Sequence, residues 1–127
     1  MEDILIEKTK ETPAIKFDAK DGLLEIKGRS ISANPLEFYQ PLMASLEKYC
    51  NTPAIATRIN IQLEYFNTSS SRCLLNVLKH LSTIHKLGNS VNINWQYEVG
   101  DENMRDVGID YQAIVDLPFE MEEVPAE

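Results

Sequence analysis

Two stretches of this chain alternate polar and apolar residues without a break. They are Arg58-Ile59-Asn60-Ile61-Gln62-Leu63-Glu64-Tyr65 and Val91-Asn92-Ile93-Asn94-Trp95-Gln96-Tyr97-Glu98-Val99. A period of two, with β-branched and aromatic residues on the apolar phase, marks a strand buried on one face. Between them Leu74, Val77, Leu78, Leu81 and Ile84 recur at helical spacing, from about Ser69 to Leu87, and Gly88 supplies the stop. Strand, helix and strand in that order form a βαβ unit, so the two strands are expected to be parallel with a right-handed crossover. A sheet covered on both faces would read as a continuous apolar run, and these strands are half polar. The helices therefore belong on one face. The other face presents Asn60, Gln62, Glu64, Asn92, Asn94 and Gln96 to water or to a partner.

The rest of the chain fits around that unit. Shorter alternations occur at Ile4 and Ile6, at Ile15 and Phe17, and at Leu24 and Ile26. Lys20-Asp21-Gly22 reads as a hairpin turn, and the 4–8 segment as a short strand or an irregular edge. Asn34-Pro35 is an N-cap followed by a first-turn proline. After it Leu36, Tyr39, Leu42, Leu46 and Tyr49 keep a helical period, with Pro41 expected to kink this helix or delay its start. A third helix is expected over about 101–115, with Met104, Val107, Tyr111 and Ile114 inward and Asp101 and Glu102 complementing its dipole. The expected fold is α/β: a single two-layer domain, a mixed sheet of about five strands with three helices mainly on one face.

Length and charge narrow the function. At 127 residues the chain is one domain's worth of protein. No apolar run approaches the roughly 18–20 residues that span a bilayer, so no direct membrane insertion is expected. Met1-Glu2-Asp3 lacks the basic-then-apolar layout of a secretion signal, so a cytoplasmic location is expected. The net charge of −8 argues against nucleic acid as a partner. That charge is uneven: residues 98–127 hold ten acids and one base, Arg105, which suggests a solvated face and an acidic tail over 121–127. Cys50 and Cys73 lack metal or redox spacing and read as reduced thiols. His80 and His85 are five apart and point in different directions on a helix. There is no clustered-glycine phosphate loop. Asp101, Glu102 and Asp106 lack the spacing of a metal loop. No catalytic residue, metal site or cofactor is expected.

One segment stands out: Tyr65-Phe66-Asn67-Thr68-Ser69-Ser70-Ser71-Arg72. Four of the chain's fourteen Ser and Thr residues stand there consecutively, where a strand passes into a helix. Asn, Ser and Thr are the preferred N-caps, so any of Asn67 to Ser69 could serve the free N–H groups, and the run needs no further purpose on that reading. The same position also suits modification. A phosphate at a helix N-terminus meets free N–H groups and the positive dipole end, and Arg72 lies one turn on. A partner docking there would instead meet about −2 of new charge. These arguments do not separate Thr68 from Ser69, Ser70 or Ser71.

At these residues the sequence resembles the SiaC-type regulatory phosphoproteins. The resemblance covers roughly residues 4 to 120. It rests on Thr12-Pro13-Ala14-Ile15-Lys16-Phe17-Asp18, Ile26-Lys27-Gly28-Arg29-Ser30, Asn34-Pro35 and Phe38-Tyr39-Gln40-Pro41-Leu42. It continues through Leu63 to Ser71, Trp95-Gln96-Tyr97-Glu98, Asp101-Glu102-Asn103-Met104 and Leu117-Pro118-Phe119-Glu120. The resemblance implies a STAS-like regulatory domain over 1–120 without catalysis of its own. It implies Thr68 as the phosphorylated residue, a SiaB-type protein kinase that modifies it and a PP2C-like phosphatase that reverses it. The unphosphorylated form is then expected to bind and activate a diguanylate cyclase, raising cyclic di-GMP and favouring biofilm. The surface expected to meet partners comprises Phe66, Asn67, Ser69, Ser70, Ser71 and Arg72, with Phe38 and Tyr39 on the first helix. The alternative is a structural or oligomer-forming module in which the 67–71 run is only a helix cap.

Overall fold

The computed structural model describes residues 3–117 and 119–125, and in them the two alternating stretches are neighbouring parallel strands. The elements run β1 (Ile4–Ile6), β2 (Ala14–Asp18), β3 (Leu23–Ser30), α1 (Pro35–Tyr49), β4 (Ala56–Phe66), α2 (Thr68–Lys86), β5 (Ser90–Glu98), α3 (Glu102–Val115) and β6 (Phe119–Val124). The six strands lie side by side in sequence order. β1, β2 and β3 form an antiparallel meander, with the turn between β2 and β3 at residues 19–22. From β3 onward every neighbour is parallel and every connection contains a helix.

Register converts the alternation into layers. One row across the sheet reads Phe17, Leu24, Ile59, Ile93, Phe119, and the next reads Ile15, Ile26, Ile61, Trp95, Met121. Except for the half-buried Met121, all are buried, and they meet Leu42, Leu46 and Tyr49 of α1 and Leu74, Val77, Leu78 and Leu81 of α2 in one core. Each such side chain stabilises the fold by about 1.5–3 kcal/mol through burial. The opposite face is a polar ladder: Glu25, Asn60, Asn94, Glu120 in one row and Lys27, Gln62, Gln96, Glu122 in the next. Asn94 and Gln96 donate to Glu122 at 2.6 and 3.2 Å, and these bonds hold that carboxyl below the usual range.

The expected mixed sheet of about five strands is met by a sheet of six, because residues 119–124 form β6 beside β5. Other expectations are corrected. The acidic tail therefore does not begin at 121; Ala126 and Glu127 lie outside the described residues. β6 is an edge strand whose exposed Glu120, Glu122 and Glu123 suit a free edge. α1 starts at Pro35 and runs through Pro41, so that proline does not delay it. Leu36 and Ile114 keep the apolar period yet are exposed. On these two-layer helices the buried stripe is narrower than the periodicity suggests.

α3 approaches the sheet closely enough that its side of the contact needs a residue with no side chain. A Cβ on Gly108 would stand 2.5 Å from Cδ1 and 2.6 Å from Nε1 of Trp95. That indole is wholly buried and donates to the Met104 carbonyl at 2.9 Å. Gly108→Ala is expected to destabilise the fold by about 1–3 kcal/mol, since overpacking outweighs the gain in helix propensity. Urea unfolding checks this, and an unchanged midpoint would mean that α3 can shift away freely.

Candidate functional site

Right-handed crossovers that all step the same way put the start of every helix at the C-terminal edge of the parallel strands. Asn34-Pro35, Asn67-Thr68 and Asp101-Glu102 stand on that edge. The 66–72 run is aimed by an irregularity one turn earlier. The pairing of β3 with β4 goes from Gly28↔Leu63 to Arg29↔Tyr65, so Glu64 is the extra residue of a bulge. Gly28 has φ +130, a conformation that glycine adopts without strain. The bulge reverses the phase of β4. Tyr65, on the apolar phase of the sequence, turns outward and Phe66 turns toward the helices, where its ring lies 6.3 Å from that of Tyr111.

Asn67 is the N-cap of α2, with its backbone in the extended region. Its Oδ1 accepts from the Ser70 N–H at 2.8 Å, and its Nδ2 donates to the Ser32 carbonyl at 3.1 Å. The Asn67 N–H donates to the Ser30 carbonyl at 3.0 Å, which fastens the start of α2 to the end of β3. The cap serves Ser70 and leaves the N–H groups of Thr68 and Ser69 without a partner in the helix.

The four hydroxyl residues have different surroundings. Ser70 is wholly buried and accepts from Ser30 Oγ at 2.8 Å. Ser30 Oγ in turn lies 2.8 Å from the Tyr39 hydroxyl, so Tyr39 donates to Ser30 and Ser30 to Ser70. This chain of hydroxyls ties α1, β3 and α2 together beneath the edge. Burial, only partly offset by the Ser30 bond, pushes Tyr39 from 10.0 up to about 12. Ser71 bonds to the Tyr111 hydroxyl, which also donates to the Ser71 carbonyl at 3.2 Å, so α2 is tied to α3. Burial raises the Tyr111 hydroxyl as well. Thr68 and Ser69 are exposed, and neither hydroxyl has a hydrogen-bond partner among the described residues. Arg72 is exposed and makes no ion pair among the described residues.

The structure thus brings Phe66, Asn67, Thr68, Ser69 and Arg72 together on one edge, with Ser71 half-buried among them. It corrects two of the expected partner contacts. Ser70 and Tyr39 face the interior, because α2 needs an inward group at Ser70 and α1 carries Tyr39 on its buried stripe. Both are buried here and hold the edge from beneath. Phe38 is half-buried with its ring edge-on to Tyr39, centroids 5.0 Å apart. Ser30, Ser32 and Tyr111 hold the site and were not singled out by sequence. Ser30 and Tyr111 read there as parts of a strand and a core stripe.

Two stability effects follow from these contacts. Ser70→Ala leaves the buried Ser30 hydroxyl short of a partner and is expected to cost about 1–3 kcal/mol. Thr68→Ala is expected to stay within about 0.5 kcal/mol of the original, and urea midpoints compare the two directly. Tyr39 supplies a pH effect. Its folded pKa lies above the unfolded one, so its contribution is complete below pH 10.0 and is lost as pH rises through about 12. Urea unfolding across that window is expected to show a decline that Tyr39→Phe reduces.

Comparison with known proteins agrees with this geometry. A family model described as "SiaC family regulatory phosphoprotein" matches residues 6–124. An uncharacterized protein of Pseudomonas aeruginosa (strain UCBPP-PA14) is 27% identical over 119 residues, which is 94% of each chain. The solved structure of SiaC from Pseudomonas aeruginosa superposes with a TM-score of 0.88 at 25% identity, over 98% of this chain and 100% of that one. The crystal structure of the diguanylate cyclase SiaD in complex with its activator SiaC, from the same organism, gives 0.89 at 25% identity, over 96% and 100%. With a family model spanning all but its two ends, this chain belongs to the SiaC family of regulatory phosphoproteins.

Proposed function

We propose that this chain is a non-enzymatic cytoplasmic switch whose unphosphorylated form binds and activates a diguanylate cyclase, raising cyclic di-GMP and favouring biofilm. Thr68 is the acceptor, phosphorylated by a SiaB-type kinase and restored by a PP2C-like phosphatase. The similar SiaC of Pseudomonas aeruginosa is the activator in a complex with the cyclase SiaD, which supports a cyclase as effector here. The observation that carries the reading is the state of the Thr68 hydroxyl. It is exposed and, among the described residues, unbonded at the first position of α2, whereas Ser70 and Ser71 are held by Ser30 and Tyr111.

The physics of that position favours a switch over a structural role. Asn67 already caps α2, so a helix-cap reading accounts for Asn67 and leaves Thr68 without a task. A phosphate on Thr68 sits at the positive end of the helix, where an anion gains about 0.3–1 kcal/mol. Arg72 is four residues on, on the same face. The fold therefore tolerates the modification. A partner seated on the edge has to accommodate about −2 of charge, and a loss of about 2.7 kcal/mol weakens binding 100-fold.

Site-resolved mass spectrometry after incubation with ATP and lysate of the native host is expected to find one phosphate on Thr68, absent from Thr68→Ala. Thr68→Ala is expected to keep its fold and its affinity for the cyclase but to stay bound when the kinase is active. Phosphorylation is expected to weaken binding by about 100-fold, and Thr68→Asp by less, since a carboxylate carries less charge. Equal affinity of the phosphorylated and unphosphorylated chains for the cyclase would refute the switch.

A further inference from the structure

Beside Thr68, the first turns of α1 and α2 enclose a groove of about 230 Å³, lined by Asn34, Pro35, Leu36, Ser69, Arg72 and Cys73 together with two neighbours. That is smaller than the roughly 300–1,000 Å³ of small-molecule sites. It suits one side chain of a docked protein. Its two walls differ in chemistry. Leu36 is 71% exposed, an apolar side chain that the fold itself does not cover. Opposite it stands Arg72, exposed and without a hydrogen bond or ion pair among the described residues. Glu37, the acid in the first turn of α1, accepts instead from Asn34 Nδ2 at 2.9 Å. In a chain of net charge −8, an unpaired guanidinium between two helix N-termini makes a locally positive spot. Charge complementarity assigns it an acidic partner segment.

We propose that this groove receives a segment of the cyclase that places one apolar side chain against Leu36 and one carboxylate on Arg72. The proposal deepens the reading above and rests on it. It also says what the phosphate displaces. Thr68 and Arg72 are one turn apart on α2, so a phosphate on Thr68 both pairs with the guanidinium and repels the carboxylate that would use it. One modification then removes a partner's anchor and adds a charge against it.

The test uses the full-length chain, the diguanylate cyclase of the same organism, and protein carrying phosphothreonine at position 68. Cyclase affinity is measured for the original chain, its phosphorylated form, Leu36→Asp, Leu36→Met, Arg72→Gln and Arg72→Lys, with thermal melts for each. Both positions are exposed, so the melts are expected to be unchanged. Arg72→Gln and Leu36→Asp are expected to weaken binding roughly 30-fold or more. Leu36→Met and Arg72→Lys are expected to retain most of the affinity. Should Leu36→Asp melt early, Arg72→Gln alone decides. If phosphorylation releases the cyclase while Arg72→Gln and Leu36→Asp bind like the original, the groove is overturned and the switch stands. If phosphorylated and unphosphorylated chains bind alike, the switch fails and the groove proposal fails with it.

Discussion

Each connection after β3 moves one strand along the sheet in the same direction, and the rule for parallel crossovers gives each the same right hand. Repeated three times, that step leaves α1, α2 and α3 no choice of face. All three lie on one side, so the core forms between a single helix layer and a single sheet face. All three also begin at the same edge, where their unpaired N–H groups and positive dipole ends collect. The other sheet face stays uncovered, and its Asn, Gln and Glu residues bond to one another across the strands instead of to a second layer. The close seating of α3 on Trp95 through Gly108 belongs to the same constraint, because one layer must cover every buried row by itself.

At the edge, helix geometry distributes one kind of chemistry into several environments. Successive residues of α2 point about 100° apart, so four adjacent hydroxyls cannot share surroundings. Ser70 falls on the inward phase and completes a chain of hydroxyls from Tyr39 through Ser30. Ser71 falls toward α3 and meets Tyr111. Thr68 and Ser69 remain in water. Two of the four hydroxyls therefore fix the position of the other two. Four consecutive small hydroxyl residues are chemically almost interchangeable, which is why composition and spacing could not separate them. The separation comes from Ser30 and Tyr111, which are 40 residues away on either side.

The legible parts of the fold share a physical cause. Strict alternation in β4 and β5 follows from a sheet with one wet face, and it revealed their parallel pairing and the single helix layer. Asn67 was legible as one of several possible caps because cap preference is local. The misread parts depend on neighbours distant in sequence. β6 looks like tail because Glu120, Glu122 and Glu123 dominate its composition, while Phe119 and Met121 facing Ile93 and Trp95 decide its structure. Tyr65 continues an apolar phase that the bulge opposite Gly28 interrupts, and a bulge is visible only in the pairing. Leu36 and Ile114 satisfy the helical period, but a helix resting on one sheet buries a narrower stripe than one packed from several sides.

The same arrangement would let the edge carry the proposed switch without endangering the fold. Everything that holds α2 in place lies below or beside the exposed pair: the Asn67 cap, the Ser70–Ser30–Tyr39 chain and the Ser71–Tyr111 contact. None of these passes through Thr68. A phosphate there would perturb the domain by no more than a dipole interaction of about 0.3–1 kcal/mol. For a docked protein the balance is reversed. It would bring its own surface into a region already charged by about −2, where the phosphate occupies Arg72 and has to be desolvated, at a cost of several kcal/mol. The residues that hold the fold thus differ from those the proposed switch uses within one five-residue run, and that separation would let a phosphate on Thr68 act on the partner alone.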